Sequence, residues 1–115
     1  MDFEFTRGDT QILKFKIVDA ENNKCKASNT DKLYFTVKKN STSKKIIFQK
    51  TLENGIKYNE NDGYYYITIN SEDTAGLSYS TYGFDIQIKT EKGIVKTLLI
   101  GSMTITEEYT YKEDE

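Results

Sequence analysis

The sequence predicts an all-β domain, an antiparallel sandwich of about seven short strands with one short helical turn. Three observations predict it. Apolar and polar residues alternate at period two in several separate runs, which sets one face of each run on a core and the other in water. β-Branched and aromatic residues dominate those runs, with six Phe and nine Tyr in the chain, and such side chains suit a pleated, half-buried surface. Between the runs stand Gly, Asn and Asp, and the 115 residues contain no proline, so the turns rest on residues that tolerate positive φ.

Each element has its own warrant. Leu13, Phe15 and Ile17 alternate with Lys14, Lys16 and Val18, which predicts a strand over 13–18. Leu33, Phe35 and Val37 do the same against Tyr34, Thr36 and Lys38. In residues 64–69, Tyr65, Ile67 and Ile69 share one face and Tyr64, Tyr66 and Thr68 the other. The longest alternation sets Tyr82, Phe84, Ile86 and Ile88 against Gly83, Asp85, Gln87 and Lys89. Residues 45–51 and 94–105 complete the set, and Gly101 marks an expected bulge in the last strand. Turn signals fall at Asn22 or Asn23, Asn54-Gly55, Asp62-Gly63 and Glu91-Lys92-Gly93, and the polar stretch 39–44 reads as a loop. Residues 70–77 (NSEDTAGL) break the pattern, with a capping Asn or Ser, acids in the first turn and Gly76 as a stop. They predict one helical turn crossing between sheets.

The length fits one domain over residues 1–106, followed by an acidic tail over 107–115 (EEYTYKEDE) expected to fray or dock elsewhere. Sixteen basic residues meet 18 acidic ones, too even a balance for non-specific phosphate binding, so no nucleic-acid partner is expected. Cys25 is the single cysteine, so no internal disulfide can form, which suits synthesis in a reducing cytoplasm. The chain shows no basic-then-apolar leader and no run of 18 apolar residues, so no membrane partner is expected. It has no histidine, the commonest general base and metal ligand. No enzyme, cofactor or metal centre is expected.

The short motifs have bland readings that outweigh the sharp ones. Arg7-Gly8-Asp9 spells an integrin tripeptide, but it stands just before a long strand. It reads better as a turn in which Gly8 takes positive φ and the Asp9 carboxylate caps. The acids Asp62, Glu72 and Asp73 lack the register of a calcium loop. Cys25, between Lys24 and Lys26, has no histidine to activate it and reads as a bystander thiol. Residues 34–39 (YFTVKK) interleave aromatics with lysines, yet the lysines are offset by acids along the chain, which favours a solvated strand face over a nucleic-acid platform. The candidate interaction residues are Tyr64 and Tyr66, which alternation sets opposite the apolar face, together with Phe3 and Phe5 near the N-terminus. Tyrosine is enriched in interfaces because it buries area while keeping a polar tip. The candidate edge strands are 2–6 and 94–106, where unpaired backbone groups would support self-association.

Four segments carry a resemblance: 5–10 (FTRGDT) before a long strand, 31–38 (DKLYFTVK), 62–69 (DGYYYITI), and 72–74 (EDT) followed by 82–88 (YGFDIQI). In these the chain resembles immunoglobulin-like virion proteins of phages and prophages of Gram-positive hosts, and is similar to the N-terminal module of phage baseplate upper proteins. The resemblance implies an immunoglobulin-like sandwich and a non-enzymatic virion structural or accessory protein. It implies capsid, neck or tail and baseplate proteins as partners, with synthesis in the bacterial host cytoplasm and then a place in the virion. The roles in view are capsid decoration, head–tail joining, or a tail or baseplate adaptor. The alternative is an adhesion or carbohydrate-binding module that uses exposed tyrosines.

Overall fold

Glycines at turns and alternation along strands together dictate two facing sheets, and the computed structural model, which describes residues 1–107, has them. In chain order the strands are β1 (Asp2–Thr6), β2 (Gln11–Phe15), β3 (Ile17–Val18), β4 (Lys24–Cys25), β5 (Lys32–Lys38), β6 (Phe48–Thr51), β7 (Ile56–Tyr58) and β8 (Tyr65–Ile69). The helical turn α1 (Ser71–Thr74) follows, then β9 (Thr81–Lys89) and β10 (Val95–Thr106). One sheet has the order β1-β10-β9-β5-β6, the other β2-β8-β7, and β3 and β4 form a small two-stranded ribbon. The fold is an all-β sandwich, with strands from alternate stretches of chain distributed between two sheets.

The inward residues are those that alternation selects. Leu33, Phe35 and Val37 from β5, Tyr82, Phe84 and Ile86 from β9, and Met103 and Ile105 from β10 meet Leu13, Phe15, Ile56, Tyr65, Ile67 and Ile69 from the smaller sheet. Phe15 stacks on Tyr65 at 5.3 Å between ring centres, and Phe35 meets Phe84 at 5.2 Å. The Tyr65 hydroxyl would be costly to bury alone; it accepts the Ala27 N–H at 2.7 Å. At the bottom of the sandwich the Tyr82 hydroxyl donates to the Ser78 carbonyl at 2.8 Å, four residues upstream. This tyrosine corner fixes the entry of β9 after the α1 crossover.

Several expectations are corrected. Among the described residues there are ten strands rather than about seven, because the stretch 13–18 divides between β2 and β3 and because β4 and β7 are too short to show alternation. One pairing is parallel: β1 lies beside β10 with Asp2 against Ser102 and Thr6 against Thr106. Gly101 is not the bulge. The register slips at Leu98, between Thr97 and Leu99. A Cβ on Gly101 would stand 1.9 Å from the Met1 carbonyl oxygen and 2.6 Å from the Phe84 ring, so this glycine admits β1 rather than bending β10. Helix α1 ends at Thr74 with Ala75 as its cap, and Gly76 keeps a negative φ. Of the expected tail 107–115, all but Glu107 lies outside the described residues.

Candidate interaction surface

Arg7, Gly8 and Asp9 lie at the crossing from β1 to β2. Gly8 has φ +85°, as expected, and its N–H donates to the buried Thr74 Oγ1 at 3.0 Å. Arg7 Nη1 donates to the Leu77 carbonyl at 3.1 Å, and the guanidinium lies 4.4 Å from the Tyr79 ring centre. The turn is closed by the Asp9 N–H on the Thr6 carbonyl at 3.1 Å, so the backbone supplies the closure expected of the carboxylate. The tripeptide is a pinned crossover, not the tip of a loop.

The candidate aromatics separate into two groups. Phe5 is 8% exposed and belongs to the core, and Phe3 is half-buried against it, stacked on Phe5 at 5.8 Å. Their inward placement follows from β1 joining the larger sheet, and it removes Phe5 from any surface. Tyr64 and Tyr66 do face away from the core, as alternation requires. Their surroundings come from other strands. The ammonium groups of Lys14 and Lys24 stand 4.7 and 4.8 Å from the Tyr64 ring centre. The Tyr66 hydroxyl donates to the Asp62 carboxylate, which also accepts the Tyr64 N–H at 2.9 Å. The Tyr66 hydrogen bond, ahead of that N–H and the charges of Lys14 and Lys24, holds the Asp62 carboxyl below its ordinary value of 3.8, and Tyr66 is pushed up in return. A sugar ring stacking on Tyr64 would have to displace ammonium groups already making cation–π contacts. This cluster is internally satisfied.

A shallow groove of about 200 Å³ crosses the outer face of the larger sheet, lined by Thr36, Lys38, Gly83, Asp85 and Ile100 among others. Gly83 leaves the floor open, and partial burial raises the Asp85 carboxyl above 3.8, with Lys38 opposing. Among the described residues no group of three or more His, Cys, Asp or Glu is placed to hold a metal ion.

Besides the outer strands β1, β6, β2 and β7, open backbone groups occur on the side of β10 that faces away from β9. Its second half is covered by β1: Ser102 N–H donates to the Met1 carbonyl at 3.0 Å, and the Met1 ammonium reaches the Ile100 carbonyl at 3.2 Å. Among the described residues its first half has no neighbour on that side. The Thr90 N–H bonds the Ile94 carbonyl, and Lys96 stands opposite Ile88. By antiparallel alternation, Val95 and Thr97 therefore turn their N–H and C=O groups outward. Around this open lane Ile94 is 63% exposed, Val95 54% and Ile100 71%. Residues 94–106 were expected to form an edge; the structure narrows the open part to 95–99. Compared with known proteins, the chain matches no protein-family model and no curated protein sequence.

Proposed function

We propose that this is a non-enzymatic virion structural or accessory protein, made in the cytoplasm of a bacterial host and then built into the particle. In that role it binds capsid, neck, or tail and baseplate proteins. The observation that carries the reading is the open lane at residues 95–99 of β10, with its outward backbone groups and three exposed aliphatic side chains. A strand added there gains main-chain hydrogen bonds and covers apolar surface at once. The resemblance in segments 5–10, 31–38, 62–69 and 72–74 followed by 82–88 supplies the virion setting. The carbohydrate-binding alternative is less favoured, because Tyr64 is engaged by Lys14 and Lys24 and Tyr66 by Asp62.

Gradient-purified virions from the producing strain, analysed by quantitative mass spectrometry, test the reading. The expected result is the chain in many copies per particle, with incorporation lost for Thr97→Pro, which removes an outward N–H. Particles free of the chain would overturn it.

A further inference from the structure

The open lane lies next to a concentration of positive charge. Lys32 and Lys89 are directly paired across β5 and β9, Lys89 stands opposite Val95 across β9 and β10, and Lys96 is on the lane itself. Lys92 is in the hairpin turn, where Glu91 is the acidic residue. Like charges set directly opposite on a sheet destabilise it. Among the described residues none of these four lysines is in an ion pair. The compensating charge is elsewhere in the same chain. Residues 107–115 hold five of the 18 acids and one of the 16 basic residues, which leaves 15 basic against 13 acidic residues in the body.

The same stretch is rich in residues of high β propensity. Tyr109-Thr110-Tyr111 has high β propensity and is followed by Glu113, Asp114 and Glu115. Nine residues are too few to carry the chain's own acidic end to the hairpin end of the lane, where the lysines stand. Nine extended residues span about 30 Å, whereas Thr106 and Val95 are separated by about 37 Å of strand. The intervening side of β10 is already taken by β1. Direct pairing of two open lanes in the antiparallel register centred on Lys96 is disfavoured, since it sets two ammonium groups opposite each other.

We infer that the open lane of β10 at residues 95–99 receives the acidic tail, residues 107–115, of a second copy of this chain. The added strand runs antiparallel to β10. This direction brings residues 109–111 beside 97–100 and Glu113, Asp114 and Glu115 to the lysines at the hairpin end. Lys96 and the bulge at Leu98 blunt the edge against indiscriminate pairing, so the lane selects an acidic strand. The inference rests on the reading of this edge as an assembly edge and names one partner for it.

The test uses the full chain in light scattering over a range of concentrations at low salt. The expected result is a concentration-dependent oligomer that excess free peptide EEYTYKEDE takes apart and that weakens as salt screens the exposed charges. Lys96→Glu, and separately the triple change Glu113→Lys, Asp114→Lys, Glu115→Lys, should each raise the dissociation constant by about tenfold or more. Combining the two sets should restore association. The tail variant alters no residue of the body, so it keeps the test sound if Lys96→Glu disturbs folding. A chain that stays monomeric, or an oligomer indifferent to the peptide and to both variants, overturns the inference. If such a monomer is still incorporated into virions, the proposed function stands and the tail assignment alone falls.

Discussion

Lys50 Nζ lies 2.7 Å from Asp73 Oδ2, with the two side chains only 5% and 16% exposed. This ion pair ties β6, an edge of the larger sheet, to the α1 crossover. The Asp73 carboxylate also accepts the Asn70 N–H at 2.7 Å, so one group both caps the helical turn and anchors it. The lysine stem is accommodated by Gly55 at φ +104°, where a Cβ would stand 2.7 Å from Lys50 Cδ. Breaking a buried pair strands a charge, which costs more than the pair contributes net. Lys50→Met and Asp73→Ala should each lower stability by about 3 kcal/mol in urea unfolding, and the double variant should lose clearly less than the sum.

The tyrosine corner gives a smaller and more local effect. Tyr82→Phe removes the hydroxyl that donates to the Ser78 carbonyl and leaves the ring in the core. A loss of about 1 kcal/mol is expected by chemical denaturation, with the sandwich intact by circular dichroism.

Gly101→Ala should be the most damaging glycine change. Its methyl would collide with the Met1 carbonyl and the Phe84 ring, so β1 must leave β10 or Phe84 must shift. Faster amide exchange at Ser102 and Thr104, whose backbones face β1, is the readout. Gly76→Ala meets nothing within 4 Å and is the neutral control.

Two aspartates give opposite pH dependences. Burial raises Asp85 above 3.8 in the folded chain, so the folded state holds this proton more tightly than the unfolded one. Its contribution to stability therefore falls as pH rises from 3.8 through the raised value. Asp85→Asn should be more stable than the parent at pH 7 and equal to it near pH 3. Asp62 is lowered by the Tyr66 hydroxyl, so its contribution is present above 3.8 and lost as pH falls through the depressed value. Asp62→Asn should be the less stable chain at pH 7, with the gap closing in acid.

The Arg7-Gly8-Asp9 turn should be inert toward integrins, because Arg7 is held by the Leu77 carbonyl and stacked on Tyr79. Integrin-bearing cells should not spread on the immobilised chain. Gly8→Ala should instead lower the melting temperature, since φ +85° disfavours a side chain.

What the sequence made legible follows from the range of each signal. Alternation is local, so the inward sets of β5, β8 and β9, including Tyr65 between two outward tyrosines, could be read directly. Positive φ is also local, and Asn22, Gly55, Gly63 and Gly93 have it where turns were expected. Parallel pairing of β1 with β10 joins residues about a hundred positions apart, and no local pattern encodes it. That pairing explains three corrections together: Phe5 turns inward, Gly101 makes room for Met1, and half of the expected 94–106 edge is covered. The lysines around Tyr64 come from β2 and β4, so the satisfied state of that cluster was equally hidden. β7, with three residues, and the β3–β4 ribbon, with two in each strand, are too short for periodicity to register.

The central claim, that residues 95–99 of β10 are the edge through which this protein assembles, is tested most directly by amide hydrogen exchange on the dilute and the assembled protein. The Val95 and Thr97 amides should exchange quickly in the dilute chain and become protected on assembly, while Gly101 and Met103, on the β9-facing side, stay protected throughout. Protection appearing at β6 or around Tyr64, with Val95 and Thr97 still exchanging freely, would contradict it.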